Sequence, residues 1–222
     1  MIKNRDLYKK CYFEFLAAIR LSAFIYEGRE IFISDRPDLR IDNIGIEVCR
    51  GIDDYSGLEN SFYNQYVNFE NSVEEINSQM TKMKVNAKYK RYENPKYAVF
   101  SPELKDMEIV KKNVAKKIED KIEKAKKYER VSRLELFIFI EDALVESELQ
   151  EIIELTKVTN VYETIYFDCW NEIYVFKNGL SEKITFDLNM NQNTVLKAKG
   201  YARLLKEKNS LNTHIIDSVK YE

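Results

Sequence analysis

The sequence predicts an α/β fold, a mixed central sheet flanked by helices. Three observations predict it: a Gly- and Pro-free amphipathic stretch over residues 5–27, a run of short β-prone pieces from Ile31 to Ile52, and alternating helical and strand patterns thereafter. Residues 5–27, RDLYKKCYFEFLAAIRLSAFIYE, repeat apolar side chains at three- and four-residue spacing and predict one long helix. EIFIS, PDLRI and IGIEVCR predict strands, with Asp42-Asn43 as the hairpin turn between the last two. Residues 53–80 are polar with interspersed aromatics and predict a helix or two over one edge. A short strand is expected over 97–100, then a long helix over 103–129, capped by Ser101 with Pro102 in its first turn. RLELFIFIED is a continuous apolar run between polar flanks, as in a strand buried on both faces at the centre of a sheet. SELQEIIELTKV predicts a helix, YETIYFDCW and NEIYVFKN two strands, and NTVLKAKGYARLLKEKN a final helix. One domain over 1–222 is expected, with 53–95 as an insertion and 190–222 as a C-terminal helical extension.

The 222 residues are 45% hydrophobic, enough to bury one sizeable core. Thirty-five Lys and Arg against 37 Asp and Glu leave a net charge of −2, so no global field draws in nucleic acid or an anionic membrane, and any such binding falls to local patches. Cys11, Cys49 and Cys169 are scattered without metal-ligand spacing, and the single His214 offers little to zinc. That usage fits a reducing, cytosolic compartment. The N-terminus opens with charges, and no stretch approaches the ~18 apolar residues of a membrane span, so neither export nor membrane insertion is expected.

Three acids stand where packing residues are expected. In IGIEVCR, alternation puts Ile44, Ile46 and Val48 on one face and Gly45, Glu47 and Cys49 on the other, so Glu47 faces solvent or a site. The hairpin brings Asp38 beside Glu47 at about 5 Å, close enough to share a divalent metal. An edge hairpin with solvated acids is the plainer alternative. At about 100° per residue, Leu7, Cys11, Ala18, Leu21 and Ile25 form a stripe of the first helix with Glu14 in its middle. A carboxylate there needs a metal, a cation or an open cleft. On the long helix, Val110, Val114, Ile118, Ala125 and Tyr128 form a stripe that contains Lys121, with Lys117 and Lys124 flanking it. Snorkelling of the lysine stem is the ordinary reading of such a position.

Glu14 on the first helix, Pro37-Asp38 in DRPDLRI and Glu47 in GIEVC together resemble the core of the PD-(D/E)XK nucleases, the restriction-endonuclease-like fold. The chain also looks like bacterial proteins related to that fold, over roughly residues 8–176. The resemblance implies a metal-dependent phosphodiesterase acting on nucleic acid, DNA rather than RNA, and is compatible with a homodimer. Asp38 and Glu47 would hold Mg2+ or Mn2+ with a backbone carbonyl of Val48 or Cys49, and Glu14 would assist through the ion or its water. The family places a lysine two positions after the second acid. Here that slot is Cys49, whose neutral thiol cannot replace an ammonium, and Arg50 points to the opposite face. Lys121 is the first candidate for a lysine moved to another element, and Lys124 the second. Substrate contact would fall to Arg36, Arg40 and Arg50, to KMKVNAKYKRY at 82–92, and to Lys197, Lys199, Arg203, Lys206 and Lys208. Two alternatives remain: a catalytically inactive member of the fold that binds nucleic acid or protein as an immunity or regulatory module, and a protein-interaction domain whose acids form structural ion pairs, such as Glu14 with Lys121.

Overall fold

The structure, a computed structural model, describes residues 4–34, 36–51, 72–82, 87–91, 98–102, 107–126, 128, 132–140, 144–169, 171–208 and 215–216. In chain order its elements are α1 (Asn4–Phe24), β1 (Ile31–Ile33), β2 (Leu39–Ile41), β3 (Ile44–Arg50), α2 (Val73–Lys82), β4 (Ala87–Arg91), β5 (Ala98–Pro102), α3 (Met107–Ala125), β6 (Arg133–Ile140), α4 (Glu146–Thr156), β7 (Thr164–Cys169), β8 (Glu172–Lys177), β9 (Leu180–Thr185), α5 (Leu188–Lys208) and β10 (Ile215–Ile216). The chain divides into two compact units, Met1–Gly51 with Ala115–Glu222, and Ile52–Val114.

The larger unit is an α/β structure around a mixed sheet of order β10-β1-β2-β3-β6-β7-β8-β9. β3, β6 and β7 run parallel, and the remaining neighbours are antiparallel. The apolar run of β6 sits between the other two parallel strands with Leu136 to Ile140 buried, as its unbroken hydrophobic character predicts. The expected hairpin forms between β2 and β3 with Asp42 and Asn43 at its turn, Asp42 having φ 50°. Its register pairs Leu39 with Ile46. From Glu14 to Ser22 the first helix is buried all round, and its Ala17 and Ala18 share a core with Ala198 and Ala202 of α5, small side chains that let the two helices approach. Each fully buried Leu, Ile or Phe in that core contributes roughly 1.5–3 kcal/mol of transfer free energy.

Several elements differ from expectation. Ser101 and Pro102 belong to β5 and pair with Lys88 and Ala87 of β4, and the long helix is described over Met107–Ala125, residues 103–106, 127 and 129 lying outside the described residues. The β-prone Ala98-Val99-Phe100 continues through the serine into a ladder, and that pairing overrides the local cap signal. The basic piece AKYKR, read only as a charge patch, is the other strand of this hairpin. β9 went unrecognised because LSEKIT is exposed along nearly its whole length and shows no apolar alternation. Its one signal is the Asn178-Gly179 turn before it, both residues at positive φ (52° and 75°), the chemistry of a tight hairpin. α5 begins at Leu188, earlier than its periodicity suggests, with Asp187 accepting a hydrogen bond from the Met190 N–H at 2.8 Å. In the smaller unit α2 starts on a reciprocal cap: Ser72 Oγ accepts from the Glu75 N–H at 3.1 Å, and Glu75 accepts from the Ser72 N–H at 2.8 Å. The expected helices over 53–71 lie outside the described residues, as do 83–86 and Tyr92 of the basic segment.

Candidate active site

The register of the β2–β3 hairpin sets the site. With Leu39 opposite Ile46, Asp38 comes level with Glu47, and its carboxylate accepts a hydrogen bond from the Val48 N–H at 2.9 Å. α3 lies over this face and delivers Lys121 between the two acids. The ammonium donates to Asp38 Oδ2 at 3.1 Å and to Glu47 Oε2 at 2.5 Å. The Asp38 and Glu47 side chains are only 8% and 2% exposed, and Lys121 only 16%. Lys121 therefore does not snorkel to solvent in the ordinary way; its head group turns inward to a pair of acids.

Two tyrosines complete the arrangement. Tyr128, three residues past the end of α3, donates a hydrogen bond to the Glu47 carboxylate. Tyr162 donates to the Lys121 backbone carbonyl at 3.0 Å and so fixes the helix at that point. The sequence reading placed Tyr128 in the apolar stripe of Lys121 without giving its hydroxyl a task; the seven-residue spacing was the available signal.

Burial and charge act on each group in a definite direction. Desolvation, and then the neighbouring Asp38 anion, raise the proton affinity of Glu47 above that of an ordinary glutamate, with Lys121 opposing. Lys121 moves upward as well, because the attraction of two carboxylates outweighs its own desolvation. Burial pushes the Cys49 thiol up to about 12.

A cleft of about 290 Å³ opens at the carboxyl end of β3, the place where open α/β sheets commonly take ligands. Phe13 and Glu14 from α1, Asp38, then Val48, Cys49 and Arg50 from β3, and Lys121 from α3 line it. The structure thus brings Glu14, Asp38, Glu47, Val48, Cys49 and Lys121 to one place. Lys124 is not among them. It is exposed and does not line the cleft. Arg36 is exposed, Arg40 donates to the Arg36 carbonyl at 3.0 Å, and neither lines the cleft. Lys199 and Arg203 are exposed on α5, with Lys197 half-buried.

The donor set suits a hard cation, since Asp38 Oδ2 and Glu47 Oε2 already share one positively charged partner, the Lys121 nitrogen. Among the described residues no group of three or more His, Cys, Asp or Glu side chains is placed to hold a metal ion, so backbone carbonyls and water would have to complete a shell, as they often do around magnesium.

Two further polar clusters lie on the α1 face of the sheet. Glu135 of β6 accepts hydrogen bonds from Tyr26 at 2.6 Å and Tyr166 at 2.8 Å and pairs with Arg133 at 2.9 Å. Arg20 of α1 pairs with Asp168 of β7 and donates to Asn191 of α5 at 2.5 Å. Each sets an acid of the sheet against cations or phenols, and the Arg20–Asp168 pair ties α1 to β7. A second, larger cleft of about 660 Å³ lies at the amino ends of β6 and β7, the opposite end of the sheet. It holds the Arg133–Glu163 and Lys177–Glu163 pairs and none of the sequence-predicted site residues. No helix among the described residues is long and apolar enough to cross a membrane. Neither a protein-family model, a curated protein nor a solved structure matches the chain.

Proposed function

We propose that the protein is a divalent-metal-dependent phosphodiesterase acting on DNA, built on a restriction-endonuclease-like core with its lysine relocated from β3 to α3. One observation supports this reading above the others: Lys121 meets Asp38 and Glu47 within hydrogen-bonding distance, and Asp38 and Lys121 line an open cleft together with Glu14. Mg2+ or Mn2+ held by Asp38, Glu47 and a carbonyl of Val48 or Cys49 would neutralise phosphoryl charge and lower the pKa of an attacking water. The chain's own groups do the rest. In the hydrolysis a water oxygen bonds to phosphorus, the bond to the leaving sugar oxygen breaks, and the proton lost by the water is balanced by one gained at that oxygen. Lys121, fixed as a cation on α3, stabilises the charge that gathers on the phosphoryl oxygens, work in which a preorganised charge in a dry site counts for more than in water. Val48 holds the Asp38 carboxylate through its N–H, and Tyr128 holds Glu47. Glu14 stands across the cleft, where it can orient a water.

A second reading has its own observation. Lys121 already satisfies both acids without an ion, which is what an inactive member of the same fold, retained as a nucleic-acid- or protein-binding module, would also display. Magnesium-dependent cleavage of plasmid and single-stranded DNA by the wild type, Asp38→Ala, Glu47→Ala and Lys121→Ala decides between them. The hydrolytic reading expects activity in the wild type alone. Activity that survives the Asp38 and Glu47 substitutions ends it, and a metal-insensitive wild type that still binds DNA favours the binding module.

A further inference from the structure

We infer that the cleft takes DNA as an unpaired strand and excludes the intact duplex; this names the substrate of the site read under Proposed function and rests on that reading. The groups that would act are recessed. The side chains of Asp38, Glu47 and Lys121 are at most 16% exposed, and Glu47 does not itself line the cleft. A phosphodiester therefore has to descend past Phe13 and Glu14 of α1, the end of β3 and Lys121 of α3 before it meets the acids. The space for that descent is about 290 Å³, at the small end of the ~300–1,000 Å³ range in which clefts enclose one small molecule. It has room for a nucleotide and none for a double helix, whose major groove alone is ~12 Å wide.

Stiffness and charge oppose the duplex as well. Paired DNA is stiff over ~150 base pairs, so it rests on the rim of a gap this size instead of folding into it. It also carries one phosphate charge per ~1.7 Å of axis, against one per ~3.4 Å of a lone strand. In the lining, Glu14 and Asp38 offset Arg50 and Lys121, and the whole chain carries −2, so the cleft offers no excess positive charge to a second strand. An unpaired nucleotide meets neither obstacle. It turns about its own backbone bonds, the motion by which nucleotides reach recessed active sites. Its uncovered base or sugar finds apolar lining in Phe13 and Val48 beside the charged groups.

A fluorescein-labelled DNA oligonucleotide in magnesium tests the assignment in three forms: alone, annealed to its full complement, and annealed to a strand that leaves a short central bubble. The lone strand should be cut on the order of 100-fold faster than the full duplex, which must first unstack and unpair its target nucleotide. The bubble form should be cut within its unpaired stretch. Asp38→Asn, or Glu47→Gln if that variant loses its helical circular dichroism, should abolish the cleavage and so assign it to this cleft. Equal rates on lone strand and duplex, or faster cutting of the duplex, overturn the strand assignment and leave the hydrolytic reading standing. A wild type that cuts none of the three forms, or cleavage indifferent to both substitutions, removes the hydrolytic reading instead. Fluorescence anisotropy of the lone strand and the duplex in EDTA then decides for the cleft. Several-fold tighter binding of the lone strand supports the assignment; equal binding, tighter binding of the duplex or binding of neither overturns it.

Discussion

At Lys121 one positive charge faces two negative ones among side chains 16% exposed or less, and the imbalance has measurable consequences. Removing the ammonium in Lys121→Met leaves two buried carboxylates uncompensated, which should cost about 3–5 kcal/mol near pH 7 in urea unfolding. The sign of the pH dependence follows from Glu47, whose proton affinity is already raised in the fold. A raised carboxyl contributes stability at low pH that is lost as pH rises through its folded value, so Lys121→Met should regain stability as pH falls below 7. In the wild type the Lys121 contribution is present in full below its ordinary value of 10.5 and is lost as pH rises through the higher folded value. A urea series at pH 8 and above 11 checks that limb. Cys49 gives an independent readout of the same pocket. With its thiol pushed up to about 12 it stays protonated at pH 8, so alkylation by iodoacetamide should be far slower in the folded protein than in urea.

At the scale of elements, the hairpin β2–β3 carries the site through its register, and the turn fixes that register. Asp42 sits in the left-handed region with φ 50°, where a β-branched residue is strained. Asp42→Val should cost about 1–2 kcal/mol, whereas Asp42→Gly should be nearly neutral, a contrast that thermal unfolding will show. α3 supplies the companion test. Lys124 is exposed one turn from Lys121, so Lys124→Ala should change stability by no more than about 0.5 kcal/mol and leave magnesium-dependent cleavage unaltered. The elements that build the site were the legible ones. The hairpin, the acidic strand and the lysine on an apolar stripe each carry a strong local pattern, Asp42-Asn43, IGIEV and the Val114–Ile118–Lys121–Ala125 spacing. What stayed hidden was long-range or exposed. Nothing local marks Tyr162 as the residue that holds the Lys121 carbonyl 41 positions earlier, or Glu135 as a buried acid with two tyrosines. Ser101-Pro102 reads as a cap until its pairing with β4 is known.

For the whole molecule, a net charge of −2 means that affinity for nucleic acid has to arise locally. On the hydrolytic reading, a divalent cation in the cleft binds the same two oxygens that Lys121 holds. Magnesium at about 100 times its dissociation constant should stabilise the wild type by about 2.7 kcal/mol, read as a rise in melting temperature. Asp38→Asn/Glu47→Gln should show no such rise, and a wild type equally unresponsive would count against the hydrolytic reading.

The two acids precede Gly51 while the lysine that pairs with them follows Ala115, with the whole of the smaller unit threaded between. On the ribosome, therefore, the carboxylates emerge first and wait unneutralised while more than 80 residues separating Asp38 from Lys121 are synthesised. The cluster cannot be completed before α3 is made, so a nascent chain released earlier carries both acids without the ammonium that pairs with them.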